Sequence, residues 1–199
     1  SNRIQTEAYF NNIQSTLIEE LKTAKRSVYV AVAWFTDTKL FDVLIDKLQE
    51  GISVSVVIVK DNINDKSWND YDRITQHGGQ FFAIADTLMH NKFCVIDLKY
   101  LITGSMNPTL NGFEHNDNNL VFFESELLAD NYEREFDQMT LGDFGSSKKN
   151  SVKYNDISLN DGEVNVSNYF CPVNDCEGEV VKILENAESE ILFNLINRS

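Results

Sequence analysis

The sequence predicts an α/β fold. Two nearly continuous apolar runs, 28–35 and 53–59, have the length and composition of strands that are covered on both faces. Apolar residues spaced three or four apart over 9–25 and 40–48 indicate an amphipathic helix before each of these runs. This strand–helix–strand order favours a parallel pair of strands joined by a right-handed crossover.

The following residues continue the alternation of helices and strands. A polar loop over 61–66 precedes a helix for which Ser67 is the expected N-cap. We assign His77, beside two glycines, to the electrostatics of that helix's C-terminus and not to chemistry. The remaining expected elements are a strand over 80–85, a turn at 86–87, a loop or short helical turn over 108–113, a strand over 120–123 and an acidic amphipathic helix over 125–139.

Residues 88–107 hold the candidate site. His90 and Lys92 are two residues apart, so on an extended chain both side chains point to the same face. The apolar run 93–96, a turn over 97–100 and a returning strand over 101–103 predict a hairpin. Such a hairpin brings Ser105 and Asn107 back toward His90 and Lys92, which gives a nucleophile or base, a fixed cation and two neutral hydrogen-bonding groups suited to an anionic, tetrahedral substrate.

The same stretch carries a family resemblance. The pattern His90-x-Lys92-x4-Asp97-x6-Gly104-Ser105-x-Asn107 resembles the HxKx4Dx6GSxN signature, or HKD motif, of the phospholipase D superfamily at every fixed position. Residues 88–109 look most like the mitochondrial cardiolipin hydrolase and single-motif nuclease group. The resemblance implies a phospholipase D-like mixed sheet with helices on both faces.

The resemblance also implies a mechanism. His90 is the expected nucleophile, which carries the phosphoryl group as a phosphohistidine. Lys92, Ser105 and Asn107 are expected to stabilise charge on the phosphoryl oxygens, so the reaction needs no metal or cofactor. In the family two such half-sites face each other, and the second histidine protonates the leaving oxygen. Asp97, also a site candidate, falls in the hairpin turn and has either a structural role or the role of orienting a partner histidine.

One position departs from the family pattern. Family members often read Asn-x-Glu-Asn before the strand at 120–123, and the glutamate helps to hold the site. Asn118 stands at that position here, so Asp117 or Glu114 is the alternative source of an acidic contact.

Charge and cysteine content restrict the possible functions. Residues 1–100 carry 11 Lys and Arg against 13 Asp and Glu, whereas residues 101–199 carry 6 against 18, which together give −14. This charge disfavours loose binding to phosphate backbones but leaves room for a local positive groove around Lys92. Cys94 is expected to pack as a small hydrophobe. Cys171 and Cys176 either pair or bind a metal, and we expect no metal site.

Neither a signal-like core at the start nor an apolar run of roughly 18–20 residues is present. The expected location is therefore cytoplasmic.

The expected domain organisation has three parts. Residues 1–142 form a phospholipase D-like catalytic domain with one HKD motif, 143–163 form a flexible linker, and 164–199 begin a second, truncated repeat. The repeat rests on the similarity of 173–193 to 10–30 at a constant offset of 163, in which Val180 answers Leu17. Chance similarity between two amphipathic helix–strand units is the alternative. A complete site then needs a second HKD half-site, from a homodimer mate or from a missing C-terminal half.

Three functions follow from these observations. The first, slightly preferred, is a metal-independent phosphodiesterase that cleaves nucleic acid. The second is a phospholipid hydrolase or transferase, such as phospholipase D, cardiolipin hydrolase or cardiolipin synthase. The third is a catalytically inactive binding module. A basic, aromatic-lined groove favours the first, an exposed apolar rim the second, and a broken hairpin the third.

Overall fold

The computed structural model describes residues 5–85, 89–149 and 152–192. The helices and strands, in chain order, are β1 Thr6–Tyr9, α1 Ile13–Lys22, β2 Ser27–Val32, α2 Thr38–Gln49, β3 Ser53–Val59, α3 Trp68–Gln76, β4 Gln80–Ile84, β5 Lys92–Ile96, β6 Tyr100–Gly104, α4 Leu110–Glu114, β7 Leu120–Glu124, α5 Glu126–Thr140, β8 Asp156–Leu159, β9 Val164–Ser167 and α6 Cys176–Glu185. Short 3₁₀ helices lie at Asn64–Ser67, Gly145–Ser147 and Asn160–Gly162.

The main sheet has seven strands in the order β1-β7-β6-β5-β2-β3-β4. Strands β2, β3 and β4 pair in parallel, and all other pairs in this sheet are antiparallel. The predicted mixed sheet and the predicted parallel pairing of β2 with β3 are therefore confirmed. Strand β2 ends at Val32, so Trp34 and Phe35 lie beyond the strand and not within it.

Two hydrophobic layers cover the sheet, one on each face. On one face α1, α2 and α3 bury apolar side chains such as Leu17, Phe41 and Ile74 against the strands. On the other face α5 buries Leu128 and Phe136. Helices on both faces are thus confirmed, and the alternation along β5 shows why its apolar run contains no polar position. Cys94 lies in the first layer as expected, and burial raises the pKa of its thiol.

The N-terminal element differs from the prediction. The expected helix over 9–25 is shorter, because residues 6–9 form β1 and pair with β7 from Thr6–Phe123 to Tyr9–Leu120. A sheet edge offers unpaired backbone groups that can recruit a strand with little apolar character of its own. Phe10, assigned to the buried helix face from its spacing, is instead 76% exposed.

Ser67 occupies the N-cap position of α3 that the sequence predicts, but its side chain does not cap the helix. The chain enters α3 through the 3₁₀ helix Asn64–Ser67, and the Ser67 side chain makes no capping hydrogen bond in the described structure. The expected turn at 86–87 lies outside the described residues.

Residues 152–170 dock against α5. The sequence predicts that the first part of this stretch, up to residue 163, belongs to a flexible linker. Val152, Ile157 and Leu159 are buried, and strands β8 and β9 form an antiparallel hairpin. The buried amide of Asn131 on α5 donates to the Tyr154 carbonyl and accepts from the backbone N–H groups of Lys153 and Tyr154. The alternation of Ile157 and Leu159 with polar residues is typical of a half-covered strand.

The C-terminal segment carries a disulfide and an exposed helix. Cys171 pairs with Cys176 at the start of α6. Disulfides persist mainly in oxidising compartments, so the pairing does not favour the expected cytoplasmic location, which stays a prediction. No residue of α6 is buried. The similarity of 173–193 to 10–30 predicts a strand at 191–193, but Ile191 and Leu192 are not in a strand, and residue 193 lies outside the described residues. Within the described ranges, no helix has the length and apolarity needed to span a bilayer.

Asp97 connects two distant parts of the chain at the turn of the β5–β6 hairpin. Asp97 and Leu98 both have φ of 56°, the left-handed geometry of a tight hairpin turn that aspartate tolerates better than most residues. Its carboxylate accepts hydrogen bonds from the backbone N–H groups of Lys25, Arg26 and Ser27 at 2.7–3.1 Å. This contact fixes the connection between α1 and β2 to the hairpin.

We expect Asp97→Ala to lower the free energy of unfolding by about 2–4 kcal/mol, because three backbone donors lose a charged acceptor. Asp97→Asn is the matched control: it keeps an acceptor oxygen and the tolerance for positive φ, so it should lose less than half as much. Urea denaturation measures both values. An alanine variant as stable as wild type would contradict the assigned role.

Candidate active site

The site forms where five chain segments meet at one edge of the sheet. Because β5 runs antiparallel to both β2 and β6, its beginning lies beside their ends, with Lys92 opposite Val32 and Phe93 opposite Thr103. β3 ends and β7 begins at the same edge. This topology brings His90, Lys92, Ser105 and Asn107 to one pocket, together with Trp34.

The pocket is an open cavity of about 880 Å³. One wall comes from residues 62–70 and the opposite wall from residues 109–118. The first wall was not identified from the sequence as part of the site, and of the second only Asn118 was, through the position of the family's glutamate. The parallel pairing of β2 and β3 was the available signal for the first wall, since loops that follow parallel strands lie at the same sheet edge.

The imidazole of His90 is exposed in the pocket and stands beside Trp34. The two ring centroids are 6.2 Å apart with the planes at 80°, an edge-to-face contact. The indole Nε1 of Trp34 donates to Asp61 Oδ2 at 2.5 Å. Trp34 is therefore a fixed wall of the pocket.

Lys92 is partly buried next to His90. Its ammonium Nζ donates to the His90 carbonyl oxygen at 2.9 Å, which keeps the cation at the start of β5. Below it lies a small apolar cavity of about 40 Å³ whose lining includes Cys94 and Met106. Burial in this environment lowers the pKa of Lys92 to about 8.

Asn107 presents an N–H group to the pocket. Its side-chain Oδ1 accepts from the backbone N–H of Trp34 at 3.3 Å. Because a backbone N–H can only donate, this contact assigns the amide orientation and leaves Nδ2 as a donor. The loop itself is fixed, since the Pro108 carbonyl accepts from the N–H groups of Thr36 and Asp37.

Ser105 and Asn118 form a hydrogen-bonded support for the turn that follows β6. Ser105 Oγ donates to Asn118 Oδ1 at 2.8 Å and accepts from the backbone N–H of Asn119 at 3.0 Å. Asn118 Nδ2 donates in turn to the Gly112 carbonyl at 2.8 Å. The single Ser105 proton is thus engaged with Asn118, so Ser105 orients the turn and does not donate to a substrate in this conformation.

Asn118 therefore makes neutral contacts at the position of the family's glutamate. Asp117 and Glu114, the expected alternatives, are both exposed, and neither is among the pocket-lining residues.

A buried asparagine, Asn64, fixes the wall that follows β3. Its Nδ2 donates to the carbonyl groups of Ala33 and Val59, and its Oδ1 accepts from the N–H of Phe35 and the hydroxyl of Tyr71. These contacts satisfy the backbone at the ends of β2 and β3, so the neighbouring Trp34 and the segment 61–64 have a fixed position. The sequence gives Asn64 only a loop assignment.

Asp97 does not join the other predicted site residues. It lies at the far end of β5 from Lys92, a distance of roughly 16 Å for five extended residues. Its contacts are the backbone groups of residues 25–27 described above. Across residues 5–85, 89–149 and 152–192, no group of three or more His, Cys, Asp or Glu side chains is arranged to hold a metal ion.

The fold and this site define a protein of the phospholipase D class, and comparison with known proteins shows the family. Residues 17–140, more than half of the chain, match the family model described as "Cardiolipin synthase, PLD-like domain". The chain belongs to the phospholipase D superfamily.

Individual relatives are similar over the same region. Phospholipase D of Rickettsia typhi is 26% identical over 116 residues, which cover 58% of this chain and 57% of the relative. Mitochondrial cardiolipin hydrolase of Chlamydomonas reinhardtii is 25% identical over 129 residues, or 63% and 56% of the two chains. The match thus spans less than two thirds of these relatives. The crystal structure of Nuc from Salmonella typhimurium, a phospholipase D family member, shares the fold with a TM-score of 0.62 at 19% identity, covering 67% of this chain and 91% of Nuc.

We expect kcat/KM for a phosphodiester to fall above about pH 8, because the Lys92 ammonium, whose pKa burial lowers to about 8, loses its charge as the pH rises through that value. A bound phosphodiester anion favours the charged ammonium, so the fall in kcat should come at higher pH. A pH–rate series measures both.

Lys92→Arg provides the control, since a guanidinium keeps its charge in this range and any residual activity should lack the alkaline fall. A wild-type profile that is flat to pH 9.5, with the fold intact by circular dichroism, would contradict the role of the Lys92 charge.

Proposed function

We propose that this chain is a metal-independent phosphodiester hydrolase that works through a phosphohistidine at His90. The observation that carries the proposal is the convergence of the His90 imidazole, the Lys92 ammonium and the Asn107 amide on one open pocket. A cation and a fixed donor near a nucleophile suit the transfer of a phosphoryl group, in which negative charge spreads over the non-bridging oxygens.

The reaction has two steps in this proposal. The neutral imidazole of His90 attacks phosphorus, the bond to one ester oxygen breaks, and a second histidine gives that oxygen a proton. Water then attacks the phosphohistidine, the second histidine takes its proton, and His90 leaves as the free imidazole. Lys92 and Asn107 Nδ2 bind the phosphoryl oxygens in both steps.

The second histidine comes from another half-site. Two sources fit the proposal: a second copy of this chain across a two-fold axis, or a second phospholipase D-like domain on a longer chain. Helix α6 supports the second source. Its sequence is similar to that of α1, yet Val180 is 52% exposed whereas the corresponding Leu17 is 7% exposed, so no sheet among the described residues covers the apolar face of α6 as the main sheet covers α1.

The preferred substrate is a nucleic-acid strand. The pocket is open and its lining includes the aromatic ring of Trp34. Among the described residues that line it, two lysines, Lys66 and Lys92, stand against one carboxylate, Asp70. A stacking surface beside cationic groups is the usual way in which proteins hold single strands.

A phospholipid is the second candidate, on a different observation. Ile63 and Leu110 line the pocket from its two walls and remain 43% and 59% exposed. Exposed apolar side chains around a polar site fit acyl chains or a membrane surface.

We expect His90→Ala to reduce cleavage more than about a thousand-fold in buffer with EDTA, because the nucleophile is lost and no step uses a metal. The assay compares labelled single-stranded DNA, labelled RNA and vesicles of phosphatidyl lipids. Cleavage of the strands alone would support the preferred substrate, and cleavage of lipid alone the second candidate.

His77→Ala is the matched control. His77 Nδ1 contacts the Arg73 carbonyl at the end of α3, outside the pocket lining, so this variant should keep wild-type activity. Loss of wild-type activity in EDTA with recovery on adding Mg²⁺ or Zn²⁺, or full activity of a folded His90→Ala protein, would overturn the mechanism.

We also expect the specific activity of the 199-residue chain to fall on dilution from micromolar to nanomolar concentration, because the half-sites separate. Light scattering at each concentration gives the mass. A monomer with undiminished specific activity at nanomolar concentration would show that a single half-site suffices.

A further inference from the structure

A buried ion pair lies directly behind residues 90–92, the catalytic segment that carries His90 and Lys92. Glu135 on α5 and Lys148 form a salt bridge with side chains only 1% and 6% exposed. Lys148 Nζ also donates to the Cys171 carbonyl at 3.1 Å and lies 5.4 Å from the Phe170 ring. Replacing such a pair by apolar residues is often neutral or stabilising, so stability alone does not explain it.

The pair contacts the segment that carries the catalytic groups. Asn91, the residue between His90 and Lys92, donates its Nδ2 to Glu135 Oε1 at 3.1 Å and lies 3.8 Å from Met139 Sδ. Because side chains alternate along an extended chain, Asn91 points toward α5 while its two neighbours point into the pocket. The Glu135 carboxylate therefore contacts the catalytic segment from the face opposite the substrate.

One carboxylate oxygen is fully occupied by this arrangement and the other is not. Oε1 receives both the Asn91 amide and the Lys148 ammonium, whereas Oε2 is buried without a hydrogen-bond partner among the described residues. An unsatisfied buried carboxylate oxygen is costly, so its presence here calls for an explanation other than stability. Strand β5 begins at Lys92, so strand pairing fixes the position of Lys92 but does not extend to His90.

We propose that Glu135, held by Lys148, is a positioning residue that fixes Asn91 and thereby the orientation of His90 toward the phosphorus atom. Glu135 does not touch the substrate. This inference rests on the proposed nucleophilic role of His90. It adds that the full rate of phosphodiester cleavage requires the hydrogen bond from Asn91 to the Glu135 carboxylate. Attack on phosphorus needs close alignment, and a displacement of about 1 Å at the nucleophile reduces a rate by about a hundred-fold.

Two double variants separate the acceptor from the charges. Glu135→Gln with Lys148→Met removes both charges but keeps a carbonyl oxygen for Asn91. Glu135→Leu with Lys148→Met has similar volume and no acceptor. We expect the first to keep kcat within about threefold of wild type, and the second to lose about 10- to 100-fold in kcat with KM unchanged within about twofold.

Asn91→Ala tests the same contact without altering the buried pair. It should show the same kcat loss, and adding it to the Leu/Met variant should cost nothing further, because residues in one contact are not additive. Equal kcat in the Gln/Met and Leu/Met proteins, or wild-type kcat in folded Asn91→Ala, would overturn the proposal. If the Leu/Met protein does not fold, Asn91→Ala alone decides.

A spectroscopic reading separates this inference from the proposed function. With His90→Ala used for assignment, the ring resonances of His90 should broaden or divide in Asn91→Ala, while those of His77 and His115 stay unchanged. Unchanged His90 resonances would overturn the positioning role even in a protein without activity. Altered resonances in a protein that cleaves no phosphodiester would support the positioning role and refute the proposed function.

Discussion

The antiparallel placement of β5 between β2 and β6 is the constraint on which the site depends. A strand that ran the other way would put His90 and Lys92 at the opposite edge of the sheet from Trp34 and Asn107. The pairing is held by apolar side chains on both faces of β5, so a one-residue slip would exchange the two faces and bury Lys92 against α5. The chemistry of the pocket therefore depends on the same contacts that form the core.

Hydrogen bonds to backbone groups then fix what the sheet alone leaves free. Asn64 satisfies carbonyl and N–H groups beyond the ends of β2 and β3, and Asn118 links the Ser105 turn to the wall at Gly112. Both asparagine side chains are neutral amides, Asn64 buried and Asn118 partly buried, and leaving such a group unpaired would be costly. These neutral amides act together with the Asp61 carboxylate, which accepts from the Trp34 indole, to fix the walls of the pocket, and Lys92 supplies the positive charge at the nucleophile.

The sequence predicts the central part of this arrangement well because the central part has strong local patterns. The apolar runs of β2, β3 and β5 predicted these strands and the parallel pair, and the resemblance carried by His90 to Asn107 implied the mixed sheet and four members of the pocket, although Asp97 does not join them. Features stabilised by distant contacts were not predictable from local patterns. Strand β1 forms because it pairs with β7, and Asn64 is held by a hydrogen bond to the Ala33 carbonyl, 31 residues away in the chain. The hairpin β8–β9 was missed because its polar composition concealed two buried positions, Ile157 and Leu159.

Contacts from residues beyond 142 complete the buried surroundings of α5. The family match stops at residue 140, yet the counter-charge of Glu135 comes from Lys148, whose ammonium is covered by Phe170 and bonded to the Cys171 carbonyl. Replacing Lys148 by an uncharged residue would leave Glu135 buried without a cation, a defect that costs about 3–5 kcal/mol. That is a large share of the 5–15 kcal/mol that holds a typical domain together. The packed core around α5 therefore extends beyond the residues of the family match and includes contacts from Lys148 and from residues 152–171.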